Sequence, residues 1–158
     1  MQKIPMTQNG LNMLQRKLYL LKTKERPRII NEIKKAREYG DLKENTEYHA
    51  AKEEQYLIEL KIKEIEHKLS YAEVIEINKL LNSGKIIFSS TVELLNLKNK
   101  NIVKYKIVGE DEANIKNNKI SINSPIARAL IGKLENDIIK INVPSGIIEY
   151  KITKVIYI

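Results

Sequence analysis

The sequence predicts an α+β protein in two parts: a long antiparallel coiled-coil hairpin over residues 1–75, with an acidic tip near residues 40–47, and a compact α+β domain over residues 76–158. Three observations carry that prediction. Two long charged runs place apolar residues at heptad spacing on either side of a short break that contains Gly40. After Ala72 the helical period gives way to short β-type runs separated by Asn, Ser, Gly and Pro. The chain, at 158 residues, is long enough for one ordinary domain or two small ones with a buried core.

Thr7, following Ile4-Pro5-Met6, is the expected N-cap of the first helix, its hydroxyl satisfying an orphan N–H of the first turn. Leu11, Leu14, Leu18 and Leu21 then follow at 3-4-3 spacing, an a/d seam. Pro27 lacks an N–H and crowds the preceding turn, so a kink or brief break is expected there. The pattern resumes with Ile29, Ile30, Ile33, Ala36 and Arg37, and Gly40 ends it as a C-cap.

The second helix is cleaner. Tyr48, Ala51, Gln55, Ile58, Ile62, Ile65, Leu69 and Ala72 recur at 3-4-3-4-3-4-3, with Lys and Glu filling the outer positions. A link of a few residues forces the two helices to run antiparallel. A helix of ~28 residues is roughly 42 Å long, a rod rather than a globular core. The same pattern also suits a small bundle closed by oligomerisation.

In the second part, residues 74–77, 85–88, 91–97, 102–108, 120–122, 138–143 and 146–158 read as strands. Asn82-Ser83-Gly84, Asn99-Lys100-Asn101 and Pro144-Ser145-Gly146 are turns by composition. Ser124 as N-cap, Pro125 at N1 and Gly132 at the C-terminal end mark one short helix between strands.

The net charge of +8 favours acidic partners, but 23 Lys against 5 Arg, with 26 Ile and 15 Asn, fits the coding drift of an AT-rich genome. Arg, the residue suited to bidentate phosphate contacts, is scarce. With no cysteine, a disulfide scaffold and any thiolate ligand or nucleophile are excluded. The first residues lack the apolar stretch of a signal peptide, and no apolar run approaches the ~20 residues that span a bilayer. A soluble, cytoplasmic protein with no membrane partner is expected.

The chemistry concentrates in the hairpin tip, Tyr39-Gly40-Asp41-Leu42-Lys43-Glu44-Asn45-Thr46-Glu47-Tyr48-His49-Ala50-Ala51. Two readings stay open on these residues. In one, Asp41-x-x-Glu44 is a capping box, with Asp41 capping the second helix and Glu44 at N3 reaching back. In the other, two carboxylates three apart project from the end of a rod as hard oxygen ligands suited to Mg²⁺, which completes its octahedron with waters and phosphates. Two carboxylates hold Mg²⁺ weakly, so the pair makes sense as half of a site that another protein completes. The readings are geometrically compatible, because capping needs one oxygen of each carboxylate.

Gly40-Asp41-Leu42-Lys43-Glu44-Asn45-x-Glu47-Tyr48-His49-Ala50-Ala51-Lys52-Glu53 closely resembles the tip of the bacterial Gre transcript-cleavage factors. Ser121-Ile122-Asn123-Ser124-Pro125-Ile126-Ala127-Arg128-Ala129-Leu130-Ile131-Gly132 is similar to the signature of their C-terminal domain. Ile4-Pro5-Met6-Thr7 and Arg26-Pro27-x-Ile29-Ile30 also match, so the resemblance covers essentially the whole chain. Asn123 and the moderate tip charge resemble the GreA type more than its more basic paralogue.

The resemblance implies an FKBP-like C-terminal domain that docks on the rim of the RNA polymerase secondary channel, while the hairpin passes down it as a transcription elongation factor. Asp41 and Glu44 would be the catalytic and metal-binding pair, holding Mg²⁺ jointly with the polymerase, which then cleaves the 3′ end of its own backtracked nascent RNA. On that reading the polymerase is the enzyme and this chain, a monomer, is its activator. Arg37, Lys43 and Lys52, with Lys34 and Lys35, flank the tip and would hold RNA phosphates; otherwise they form a solvated face with pairs such as Lys34–Glu38 and Lys43–Glu47. Asn123, Ser124 and Pro125 would present the polymerase-docking surface, with a helix cap as their structural alternative. Arg128 is expected to pair with an acid, and His49 and His67 to lie on the surface. Two other functions remain: a channel-binding inhibitor without cleavage activity, against which the intact Asp41/Glu44 pair argues, and an FKBP-like isomerase or chaperone. An isomerase pocket needs a ring of aromatics, for which this domain offers Phe88, Tyr105, Tyr150 and Tyr157.

Overall fold

The computed structural model describes residues 2–77 and 83–158. It divides into two compact units, one comprising Met1–Lys3 and Leu11–Ala72, the other Ile4–Gly10 and Glu73–Ile158. The expected turn at Asn82-Ser83-Gly84 falls partly outside the described residues; within them, Gly84 has φ +72°.

The first unit is helical. Helix α1 (Gln8–Leu20) runs into a π turn over Leu21–Glu25, followed by α2 (Arg26–Arg37) and, after the tip, α3 (Thr46–Ser70). No break occurs at Pro27. Instead the helix widens just before it: the Arg26 N–H reaches Leu21 O, five residues back. A wider turn relieves the clash of the proline ring with the carbonyl four residues earlier, here that of Thr23. The Thr23 hydroxyl caps another carbonyl of this stretch, donating to Tyr19 O at 2.7 Å.

The heptad seam forms as expected, with Leu14, Leu21, Ile29, Ile33 and Ala36 buried on one side and Ala51, Ile58, Ile62 and Ile65 on the other. Ion pairs flank it. Lys22 meets Glu66 at 3.1 Å, Arg26 grips Glu59 with two bonds of 2.8 and 2.9 Å, and Arg28 reaches Glu54 at 2.5 Å. The order of these partners runs upward on one strand of the hairpin and downward on the other, as antiparallel helices require. The second helix is shorter than expected, 25 residues, because Ala72 leaves the seam for a strand.

The second unit holds a five-stranded sheet in the order β5-β4-β3-β7-β6. Its strands are β3 (Thr91–Asn96), β4 (Ile102–Val108), β5 (Lys119–Ser121), β6 (Ile138–Val143) and β7 (Gly146–Ile156). All neighbours are antiparallel except β4 and β5. Alternation puts Val92 and Leu94 of β3, and Ile139 and Ile141 of β6, on the buried face. Helix α4 (Pro125–Leu130) covers that face with Ala127 and Leu130, and Ile86, Phe88, Ile107, Ile120 and Ile152 complete the core. Residues 85–88 make no strand: Lys85 forms a single bridge to Leu134, while Ile86 and Phe88 are drawn into the core.

A separate two-stranded sheet joins β1 (Ile4–Met6) to β2 (Ala72–Val74), and Ile75 N–H donates to Met6 O at 3.0 Å. Thr7 is the N-cap of α1, accepting from Gly10 N–H at 3.1 Å. The segment Ile4–Gly10 nonetheless belongs to the sheet unit rather than the hairpin, and the physical reason is Glu112. This buried carboxylate accepts from Thr7 N–H at 3.1 Å, from the Thr7 hydroxyl, and from Gly109 N–H at 3.3 Å. A Cβ on Gly10 would lie 2.4 Å from Glu112 Cδ, so this position admits only glycine without rearrangement.

Candidate functional site at the hairpin tip

Helix α2 ends at Arg37, and the chain turns through residues 38–45 before α3 begins. The C-cap is Glu38, in the right-handed region, rather than Gly40, which the sequence implies; Gly40 lies two residues further on, where its φ of +100° turns the chain. The capping box does not form. Asp41 and Glu44 lie in the turn ahead of α3, and the N-cap is Asn45, whose Oδ1 accepts from Tyr48 N–H at 3.1 Å. Asp41 instead folds its Oδ1 onto Lys43 N–H at 3.1 Å, a local Asx turn. Among the described residues Glu44 makes no hydrogen bond or ion pair. Both carboxylates are exposed, and both line one shallow cleft of about 410 Å³ with Tyr39, Asn45, Thr46 and Glu47.

The loop is tied to the helices at two points. Asn45 Nδ2 donates to Ala36 O at 2.7 Å, and His49 Nε2 bonds Lys43 O at 2.9 Å. Glu47, in the first turn of α3, complements the positive end of the helix dipole. No group of three or more His, Cys, Asp or Glu positioned to hold a metal occurs among the described residues. Asp41 and Glu44 therefore offer two hard oxygen donors with open coordination positions, which suits shared ligation of a small divalent cation rather than a closed cage.

The basic residues do not gather in that cleft. The Arg37 guanidinium lies over the half-buried Tyr48 ring, 5.9 Å from its centroid, Lys52 donates to Gln55 at 3.2 Å, and Lys43 is exposed in the loop. The expected pairs Lys34–Glu38 and Lys43–Glu47 do not form among the described residues, leaving Lys34, Lys35 and Lys43 solvated. His49 and His67 are exposed, and His67 packs its ring on Tyr71 at 4.8 Å.

In the sheet unit, Asn123, Ser124 and Pro125 lie together at the start of α4. Ser124 Oγ caps the helix, accepting from Ala127 N–H at 3.3 Å and donating to Ser121 O at 2.7 Å. Asn123 and Pro125 are exposed, and Pro125 borders an apolar cleft of about 410 Å³ with Ile126, Ile141, Val143, Ile148 and Tyr150. Burial pushes the Tyr150 phenol up. Of the four aromatics weighed for an isomerase pocket, Tyr150 alone lines this cleft. Arg128 is exposed and finds no acidic partner among the described residues.

The family model for the N-terminal part of transcription elongation factors matches residues 4–74, and that for the C-terminal part of GreA/GreB matches residues 81–157. The chain belongs to the GreA/GreB transcription elongation factors. Two relatives place it with the GreA type. One is the transcription elongation factor GreA of Buchnera aphidicola, 56% identical over 98% of this chain and 98% of its own. The other is GreA of Yersinia pestis, 52% identical over the full length of both. Among solved structures, GreA factor homolog 1 (Gfh1) of Thermus thermophilus is 26% identical over 98% of this chain and 99% of its own, with a TM-score of 0.44.

Asn45 is the tip residue of this Gre-type chain that sequence reasoning missed as the cap. A signal existed, since an Asn stands immediately ahead of the first residues of the α3 seam. The Asp41-x-x-Glu44 spacing masked it.

Proposed function

We propose that this elongation factor enters the secondary channel of bacterial RNA polymerase, acts in the cytoplasm, and stimulates the polymerase's own cleavage of backtracked RNA. The observation that carries the reading is the placement of Asp41 and Glu44: both exposed, sharing one cleft, at the end of a paired helical rod, with no second role as helix caps. Two donors without a pocket suit a site that a partner completes. Asp41 Oδ2 and both Glu44 oxygens remain open to hold Mg²⁺ jointly with the polymerase and to accept a hydrogen bond from the attacking water. A bound ion there supplies Lewis-acid charge for phosphodiester cleavage. Arg37 and Lys43 lie close in sequence to the carboxylates and would hold RNA phosphates, with Lys52 further along α3. Asn123, Ser124 and Pro125 would present the docking surface.

The test is gel analysis of a halted, backtracked elongation complex with and without the protein. Asp41→Asn and Glu44→Gln are expected to abolish stimulated cleavage while polymerase binding survives. Because neither residue caps α3, both variants should retain the helix content of the unsubstituted chain. Full stimulation by both variants would overturn the assignment of the tip.

A further inference from the structure

Asp41 and Glu44 are carried by residues 38–44, which backbone bonds hold to the end of α2 as far as Gly40 and which Lys43 O ties to α3 through His49 Nε2 at 2.9 Å. The Asp41–Lys43 bond is local, and Glu44 makes no hydrogen bond or ion pair among the described residues. The tie to both helices comes from Asn45, covalently next to Glu44. Its Oδ1 holds the Tyr48 N–H in the first turn of α3, and its Nδ2 donates to Ala36 O in the last turn of α2. The same carbonyl accepts Tyr39 N–H at 3.2 Å, so both of its lone pairs are used where the loop departs. One amide therefore links the two helix ends across the base of the loop that bears the acids. Capping alone does not need an amide, because Asp, Ser and Asn cap comparably well. The link to Ala36 O adds a donor, which a carboxylate lacks and which the amide carries on an atom separate from the capping oxygen.

We propose that Asn45 is a positioning residue that sets the Asp41–Glu44 pair by bridging α2 to α3; this rests on the reading of that pair given above. Asn45→Asp separates the two roles. It keeps an acceptor for Tyr48 N–H but turns a carboxylate oxygen toward the Ala36 carbonyl, where repulsion replaces a hydrogen bond.

The experiment compares the unsubstituted chain with Asn45→Asp, Asn45→Ala and Asp41→Asn on backtracked elongation complexes, titrating the factor. For Asn45→Asp, the half-saturating factor concentration should stay within about twofold, while the maximal cleavage rate falls roughly 10- to 100-fold, as misplacement by about 1 Å does. Circular dichroism should show α3 intact. In the free protein, backbone order parameters over residues 38–44 should drop from the rigid range near 0.85 toward 0.6. Asn45→Ala, which loses cap and bridge together, should lose the same cleavage and part of the helix. Unchanged maximal rate and unchanged loop order in Asn45→Asp would overturn the proposal, as would a loss confined to the half-saturating concentration. If Asp41→Asn cleaves normally, the functional reading itself fails; if Asp41→Asn is inactive and Asn45→Asp active, only the positioning role fails.

Discussion

The sheet unit and the hairpin unit are held together by different means. In the sheet unit, Ile86, Val92, Leu94, Ile107, Leu130 and Ile152 are all fully enclosed in one contiguous cluster between sheet and helix. In the hairpin, burial is one seam wide, with Ile29 and Ile62 the best enclosed, and the flanks are polar pairs: Lys22–Glu66, Arg26–Glu59 and Arg28–Glu54. A cluster closed on all sides tolerates little change in volume. A seam open to water on two sides can relax. The tip goes further still, because Asp41 and Glu44 are exposed and the side-chain bond between Asp41 and Lys43 N–H is local to the turn, so their chemistry can be altered with little loss of stability.

The largest expected effect tests that contrast directly. Leu94→Ala, in the centre of the sheet, should destabilise its unit by about 2–5 kcal/mol, the range for a buried leucine that leaves a cavity. Ile58→Ala, at a 5% exposed seam position, should fall at or below the lower end of that range, because the neighbouring turns and water can close around the gap. Urea denaturation followed separately by sheet and helix signals measures both. Equal losses would show that the hairpin seam is as unyielding as the sheet core.

Glu112 gives a second, smaller comparison. It is a buried carboxylate inside the apolar unit, and all its observed partners are donors from Thr7 and Gly109. Glu112→Ala leaves those donors without an acceptor, which costs about 1–3 kcal/mol. The loss should appear as earlier hydrogen exchange at Thr7 and Gly10, ahead of any change in the sheet amides. Uniform exchange across the unit would mean that the segment Ile4–Gly10 is held by packing rather than by this carboxylate.

How much of this was legible in the sequence follows the same division. Heptads and alternation were readable because a repeated period averages over many residues: the seam from Ala51 to Ile65 and the strands β3, β4 and β6 all form where their patterns place them. Single polar choices were not. Asp41 and Asn45 are equally good caps by composition, and what decides between them is Ala36 O, which comes within reach only once the two helices are paired. Glu112 meets Thr7 across 105 residues, a contact no local pattern encodes. The strand expected at residues 85–88 does not form although its burial alternates, with Ile86 and Phe88 inward and Ile87 outward. The chain turns at once through Ser89, at φ +75°, and Ser90 N–H bonds back to Ile87 O, so pairing stops at the Lys85–Leu134 bridge.

The smallest effect concerns the polar flank of the hairpin. The bidentate bond from Arg26 holds the Glu59 carboxyl below its ordinary value of 4.5, against a weaker opposing effect of burial. A carboxyl whose folded value is depressed adds stability that is fully present above its unfolded value and is lost as pH falls through the folded one. The hairpin should therefore lose a little thermal stability between pH 5 and the acid side of that depressed value. Because both side chains are substantially exposed, the change should be small and should shrink further as salt rises. Glu59→Gln removes the titrating group, so the gap in melting temperature between it and the unsubstituted chain should be present at pH 7 and narrow toward pH 3 as the carboxyl takes up its proton. A gap that persists unchanged at pH 3 would mean that Glu59 acts through its aliphatic packing, and that the hairpin is held by its seam alone.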